Sequence, residues 1–230
     1  MAAYRALTRD RRSRDDGVSR YRVGDRWIDE RRSAGDDHHV IGACLDVTRR
    51  QQEEAALAWD ASHDPLTGLL VRRSFDRYLQ RAIATPRDST AAVSLLMLDI
   101  DRFKTVNDRL GHEIGDRVLG AVAHRLSTVV RRSDPLARWG GDEFAIVLES
   151  DAQGRRAKGV AQRLLGATRE PIQLDPGPFP VHASVGGAVR RAGEDPRELA
   201  RRADRALYAA KAAGGDRWCL DGREPSPDLD

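Results

Sequence analysis

The chain has 230 residues, room for one full domain with long extensions or for one domain and a fragment of another. Its 39 lysines and arginines face 36 acidic residues, and this near-balance argues against a nucleic-acid partner, the more so because the arginine bias reads as genome composition. Two cysteines, Cys44 and Cys219, offer no metal-ligand spacing and no disulfide framework, which suits a reducing cytoplasm, and no apolar run approaches membrane-spanning length, so no membrane segment is expected in this chain.

Residues 1–17 are polar, rich in Arg and Asp and without periodicity, and are expected to be disordered. Tyr21 to Val23, Arg26 to Glu30 and His39 to Val47 then read as antiparallel strands, with a turn over Ser33-Ala34-Gly35-Asp36-Asp37. His38 and His39 read as exposed turn residues rather than haem or metal ligands. The Trp27-Ile28 strand, the Gly-Asp-Asp turn and the strand closing in Asp46-Val47-Thr48 resemble the C-terminal half of a PAS sensor domain, here residues 18–47, without the half that carries the ligand-pocket helices. Thr48-Arg49-Arg50-Gln51 has the form of a capping box, so a linker helix is expected over 48–62. PAS domains pass signals through such a helix, commonly as a parallel coiled coil. A plain connector is the other reading, because few apolar seam positions are present.

Asp64-Pro65-Leu66-Thr67-Gly68-Leu69 breaks that helix. Val71, Phe75, Leu79 and Ile83, spaced by four, predict an amphipathic helix, and Thr85 to Ser89 a loop. Ala91 to Leu98 is apolar on both faces, as in a central buried strand, and runs into Asp99-Ile100-Asp101. Carboxylates at the end of a buried strand are costly unless solvated or holding a cation, although Asp is also a common turn residue. Phe103 to Gly115 is a polar loop or short helix, after which Ile114, Val118, Leu119, Val122, Leu126 and Val129 mark the buried face of a long helix.

Arg138-Trp139-Gly140-Gly141-Asp142-Glu143-Phe144 reads as strand, tight turn, strand, with Phe144, Ile146 and Leu148 as the buried face of the exit strand. Asp142 and Glu143 share the tip, where adjacent carboxylates repel unless a cation stands between them; an ordinary acidic turn is the bland alternative. A third helix runs through Ala157, Val160, Leu164 and Leu165; Asp175 to Pro180 is a loop and Val181 to Val189 a strand. Asp195 as N-cap and Pro196 at the first helical position open a last helix with Leu199, Ala203, Ala206, Leu207 and Ala210 inward. Gly214-Gly215 closes it, Trp218 to Leu220 adds a strand, and 223–230 is a disordered tail. This order of elements describes an α/β (α+β) domain with a mixed sheet.

Residues 63–222 resemble a GGDEF domain, the diguanylate cyclase family. The resemblance rests on Asp64-Pro65-Leu66-Thr67-Gly68-Leu69, Asp99-Ile100-Asp101-Arg102-Phe103-Lys104, Asn107-Asp108 with Gly111-His112, Gly115-Asp116, Gly140-Gly141-Asp142-Glu143-Phe144, and Ala203-Asp204 through Ala206-Leu207-Tyr208 to Ala210-Lys211. It implies a central mixed sheet flanked by helices, like that of nucleotidyl cyclases. It implies condensation of two GTP into cyclic di-GMP in a homodimer, with Mg²⁺ or Mn²⁺ held by Asp99, the Ile100 carbonyl, Asp142 and Glu143. One of the two turn carboxylates would also help deprotonate the attacking hydroxyl; the sequence leaves open which. Phe103 and Lys104 lie in the expected phosphate loop. Lys211 is the expected phosphate lysine, a role compatible with its favourable place at a helix C-terminus.

By the same resemblance Asn107 and Asp116, with His112 nearby, bind guanine, since a carboxylate accepts from N1–H and the 2-amino group and adenine has no such pair. Asp116 as a plain helix cap is the alternative. Arg131 and Asp134 have the Arg-x-x-Asp form of the family's inhibitory site for cyclic di-GMP. One departure stands out: family members often carry Arg or Lys four residues after the lysine, where this chain has Gly215, with Arg217 beyond. A catalytically silent module that binds GTP or cyclic di-GMP as a receptor is the alternative function. It is disfavoured because a receptor has no need to keep metal ligands.

Overall fold

The chain divides into two units, residues 1–61 and 62–230, within which this computed structural model describes residues 17–34, 40–85, 91–175 and 177–221. Of the stretch 1–17 expected to be disordered, residues 1–16 lie outside the described residues, as do the expected tail 223–230, Gly35-Asp36-Asp37, His38, His39 and residues 86–89 of the expected loop. Among the described residues no helix is long and apolar enough to cross a membrane.

The first unit is an antiparallel sheet of β1 (Gly17–Val23), β2 (Arg26–Ala34) and β3 (Val40–Asp46), followed by α1 (Thr48–Asp60). Gly17, expected in the disordered stretch, already pairs with Arg32. The expected capping box does not form. The Thr48 hydroxyl instead accepts the Trp27 N–H at 2.8 Å, so it serves the sheet, and Asp46 accepts the Thr48 N–H at 3.0 Å. α1 buries no residue and is laced by the pairs Arg49–Glu53 and Arg50–Glu54.

The second unit runs β4 (Leu70–Val71), α2 (Arg72–Ala84), β5 (Ala91–Ile100), α3 (Phe103–Leu110), α4 (His112–Val129), β6 (Leu136–Gly140), β7 (Glu143–Asp151), α5 (Arg155–Arg169), β8 (Ile172–Leu174), β9 (Gly177–Phe179), β10 (Ala183–Val189), α6 (Pro196–Ala212) and β11 (Trp218–Leu220). Six strands form one mixed sheet in the order β11-β10-β5-β7-β6-β4, parallel only at its two outer pairs. This is the expected mixed sheet flanked by helices. Two details were not legible. β4 is only two residues long, below any periodicity signal. The expected loop at 175–180 instead contributes β9, which pairs with β8 as a short hairpin and tolerates Pro178 because that hairpin has no further neighbour among the described residues.

β5 and β7 are buried on both faces because helices cover both. Leu96, Leu98, Phe144, Ile146 and Leu148 pack under α3, α4 and α5; Leu95, Met97, Ala145 and Val147 pack under α2 and α6. The exit strand of the hairpin thus buries two faces, not the one that Phe144, Ile146 and Leu148 predict. α6 lies so close to β10 that a Cβ at Gly186 would stand 2.0 Å from the Leu207 nitrogen. Asp195 caps α6 by accepting from the Arg197 and Glu198 amides.

Candidate active site

The sheet brings the acidic segments together at one end. Asp99 of β5 stands opposite Glu143 of β7 and Ser184 of β10, and the Ile100 N–H points to the Asp142 carbonyl at 3.4 Å. Gly140 faces Glu143 across a two-residue loop, Gly141-Asp142, in which Gly141 takes a positive φ of 49°. Trp139 is the extra residue of a bulge in β6, and it packs edge-on against Phe75 with the Arg72 guanidinium 4.3 Å above its ring. Bulge and packing fix the direction in which the hairpin tip projects.

Arg138 braces that tip. Its Nε donates to the Gly141 carbonyl at 2.9 Å and one Nη to Asp64 at 3.1 Å. Asp64 also accepts from the Thr67 amide at 2.9 Å and hydroxyl at 2.7 Å. The Asp-Pro-Leu-Thr turn is therefore a small carboxylate-centred knot tied to the acidic hairpin. Burial pushes Asp64 up, but the Thr67 donors and the Arg138 guanidinium more than offset it, so its pKa is held below the usual carboxylate range.

Asp99 is in the opposite condition. Burial pushes its pKa up to about 6; the Lys211 ammonium, 2.7 Å from its Oδ2, pulls it down, while Asp142 and Glu143 push it further up. The three carboxylates therefore share one field. Among the described residues no three His, Cys, Asp or Glu side chains converge as a ready metal cage. The donors nevertheless fit a hard divalent cation: all are oxygens, one being a backbone carbonyl, and the negative charge of Asp99 already holds an ammonium.

Beside the tip opens a cleft of about 360 Å³ lined by Phe103, Lys104, Asn107, His112, Asp116, Leu119, Arg138, Gly141 and Asp142. All five substrate-binding candidates from 103 to 116 meet there. They come from α3 and the start of α4, joined at Gly111. Asn107 can turn into the cleft because Gly115 has no side chain; a Cβ there would stand 1.9 Å from the Asn107 Oδ1. Lys211 is not among the cleft-lining residues and meets the site through Asp99.

Arg131 and Asp134 line a separate cleft of about 420 Å³ with His63, Tyr78, Arg132 and Leu136. The Asp134 carboxylate is 4% exposed, holding Arg156 through both oxygens at 2.7 and 2.8 Å and accepting the Arg131 N–H at 2.9 Å. It shapes the turn after α4, and Arg131 is the exposed member of the pair.

Arg138 and Leu119 were not singled out by the sequence. Leu119 carried only a core signal, and the partner of Arg138 lies 74 residues away.

A family model described as diguanylate cyclase, GGDEF domain, matches residues 61–217. Diguanylate cyclase TpbB of Pseudomonas aeruginosa is 37% identical over 209 residues, covering 89% of this chain and 48% of that protein. Cyclic di-GMP phosphodiesterase NbdA of the same species is 37% identical over 161 residues, 70% of this chain and 20% of that one. The chain thus spans about half the length of the first relative and a fifth of the second. The coiled coil and GGDEF domain of DgcB from Caulobacter crescentus, solved with c-di-GMP, superposes with a TM-score of 0.68 at 33% identity, covering 76% of this chain and 93% of that one.

Proposed function

Because this chain belongs to the GGDEF diguanylate cyclase family, we propose that it condenses two GTP into cyclic di-GMP and two pyrophosphates. The 3′-hydroxyl of each GTP attacks the α-phosphate of the other, so two copies must face each other, each presenting one cleft. The observation that carries this reading is the meeting of Asn107, His112 and Asp116 with Asp142 in one cleft, beside the Asp99–Lys211 contact.

Asp116 and Asn107 read the guanine edge. The backbone amides of 102–104, with Phe103 and Lys104, cradle the phosphates, the Asp101 amide being held by the His182 carbonyl, and Lys211 adds a charge. A divalent cation, Mg²⁺ or Mn²⁺, would be held by Asp99, the Ile100 carbonyl, Asp142 and Glu143, and would neutralise phosphate and leaving pyrophosphate. Of Asp142 and Glu143, one takes the proton of the attacking hydroxyl. Arg131, with Asp134 holding its loop, forms the inhibitory product site. Residues 18–47 act as a partial PAS unit, 48–62 as the linker that pairs two copies, and 63–222 as the cyclase. Cys44 and Cys219, which are not in a disulfide, and the need for GTP agree with a cytoplasmic setting.

The test is incubation with GTP and Mg²⁺, with ATP and Glu143→Ala alongside, across a range of protein concentration. Cyclic di-GMP from GTP alone, absent in the variant and rising per subunit with concentration, is expected. No product at high concentration overturns the reading.

A further inference from the structure

The carboxylate of Asp101 has no part in the chemistry above, yet it stands at the crossing of three segments. Its Oδ1 accepts the Ser184 hydroxyl at 2.8 Å and its Oδ2 the Asp216 amide at 2.8 Å, while its own N–H donates to the His182 carbonyl at 2.9 Å. Ser184 is fully buried and stands opposite Asp99 in the sheet. Asp216 belongs to the turn that ends α6, five residues past Lys211, whose carbonyl accepts the Gly214 N–H at 3.0 Å.

The turn accepts this grip only because of what stands at 215. A Cβ on Gly215 would lie 2.9 Å from the Asp101 Oδ2 and 3.1 Å from its Cγ, and Gly215 has a φ of 78°. The Asp101 carboxylate occupies the space that a side chain at 215 would need. The following residue, Asp216, adopts a φ of 48°, and its own carboxylate holds the Arg169 Nε at 2.9 Å and the His182 Nδ1 at 3.1 Å. Arg217 folds back, donating through its Nε to the Gly215 carbonyl at 3.0 Å.

We infer that Asp101 is a positioning residue: by clasping the turn Gly214–Asp216 to the end of β5 it fixes where Lys211 stands relative to Asp99 and to the phosphate loop. The inference rests on the GTP-binding reading of the site. The clasp holds the loop 101–104 on one side and the last turn of α6 on the other, so releasing it lets the two phosphate-binding elements part. Asp101 touches no substrate in this account and acts through Lys211.

The experiment is a double-mutant cycle on the full chain, reading GTP affinity and the steady-state KM and kcat for cyclic di-GMP formation. Asp101→Ala is expected to weaken GTP binding and raise KM about tenfold, with kcat changed less. Lys211→Ala should do the same, and the double variant should be no worse than Lys211→Ala alone. Gly215→Ala attacks the clasp from the other side and should reproduce the Asp101→Ala phenotype, which keeps the test intact if either variant folds poorly. Losses that add in the double variant, or an unchanged KM in both Asp101→Ala and Gly215→Ala, overturn the positioning role and leave the cyclase reading standing. A parent chain that neither binds nor converts GTP overturns both.

Discussion

The two ends of the central sheet treat charge in opposite ways. At the end where β5 meets the hairpin, Asp99, Asp142 and Glu143 push on one another and a single ammonium answers them. About five residue rises away along β10, roughly 17 Å, Arg202 is 5% exposed and fully matched. It holds Glu194 at 2.7 Å and Asp221 at 2.6 Å and donates to the Val189 carbonyl at 3.1 Å. Burial would lower its pKa, but Glu194 and Asp221 raise it above the usual value. One end is assembled to stay folded; the other keeps a concentration of negative charge that folding alone does not need.

Substitutions at the two ends should therefore separate stability from activity. Glu143→Ala removes a carboxylate from the crowded end, and cyclic di-GMP formation should fall by at least about a thousandfold while the melting temperature holds or rises. A variant that keeps a tenth of the parent rate contradicts the role of the hairpin. Arg202→Met does the reverse. It strands Glu194 without a cation and leaves Asp221 only the exposed Arg191 at 3.3 Å, and denaturant unfolding should show a loss of about 3–4 kcal/mol. Turnover per folded molecule should be unaltered, and a selective loss of kcat in that variant would erase the distinction between the ends.

Much of the crowded end was legible in the sequence, because its parts are short motifs whose residue types carry their own constraint: a strand closing in Asp99-Ile100-Asp101 and two glycines before Asp142-Glu143. The quiet end was not. Arg202 reads as one more arginine on a helix in an arginine-rich chain, and its inward placement appears only once α6 is docked on β10 through Gly186. The same limit hid the brace between Arg138 and Asp64, a contact across 74 residues. Thr48 shows the converse: a local capping signal was overridden because β2 needed the hydroxyl.

That brace lies between the two extremes, a matched pair touching the crowded end. Asp64 has a folded pKa below its unfolded one, so its contribution is present in full above the unfolded value, near pH 4, and is lost as pH falls through the depressed folded value. Asp64→Asn should cost about 1–2 kcal/mol at pH 7, and parent and variant should converge in stability as the pH falls through the depressed folded value. A gap of constant size across that range would mean that shape, not charge, makes Asp64 matter.

The smallest effect expected is at Gly115, where stability and binding should part company within a single methyl group. Glycine inside α4 costs about 1 kcal/mol relative to alanine on helix propensity, so Gly115→Ala has a favourable local term. The new Cβ would meet the Asn107 Oδ1 at 1.9 Å, the Asn107 Cγ at 3.1 Å and the Phe103 ring at 3.3 Å. The first of these is the free end of a short side chain facing a cleft, and it can rotate away; the ring contact is tight and must yield slightly. The two terms nearly cancel, and the melting temperature should move by only a degree or two. Asn107 cannot rotate away and still present its amide to the base, so KM for GTP should rise several-fold, about 1 kcal/mol, with kcat little changed. If KM is unmoved while the helix gains its propensity term, Gly115 serves the packing of α3 on α4 and Asn107 does not read the base.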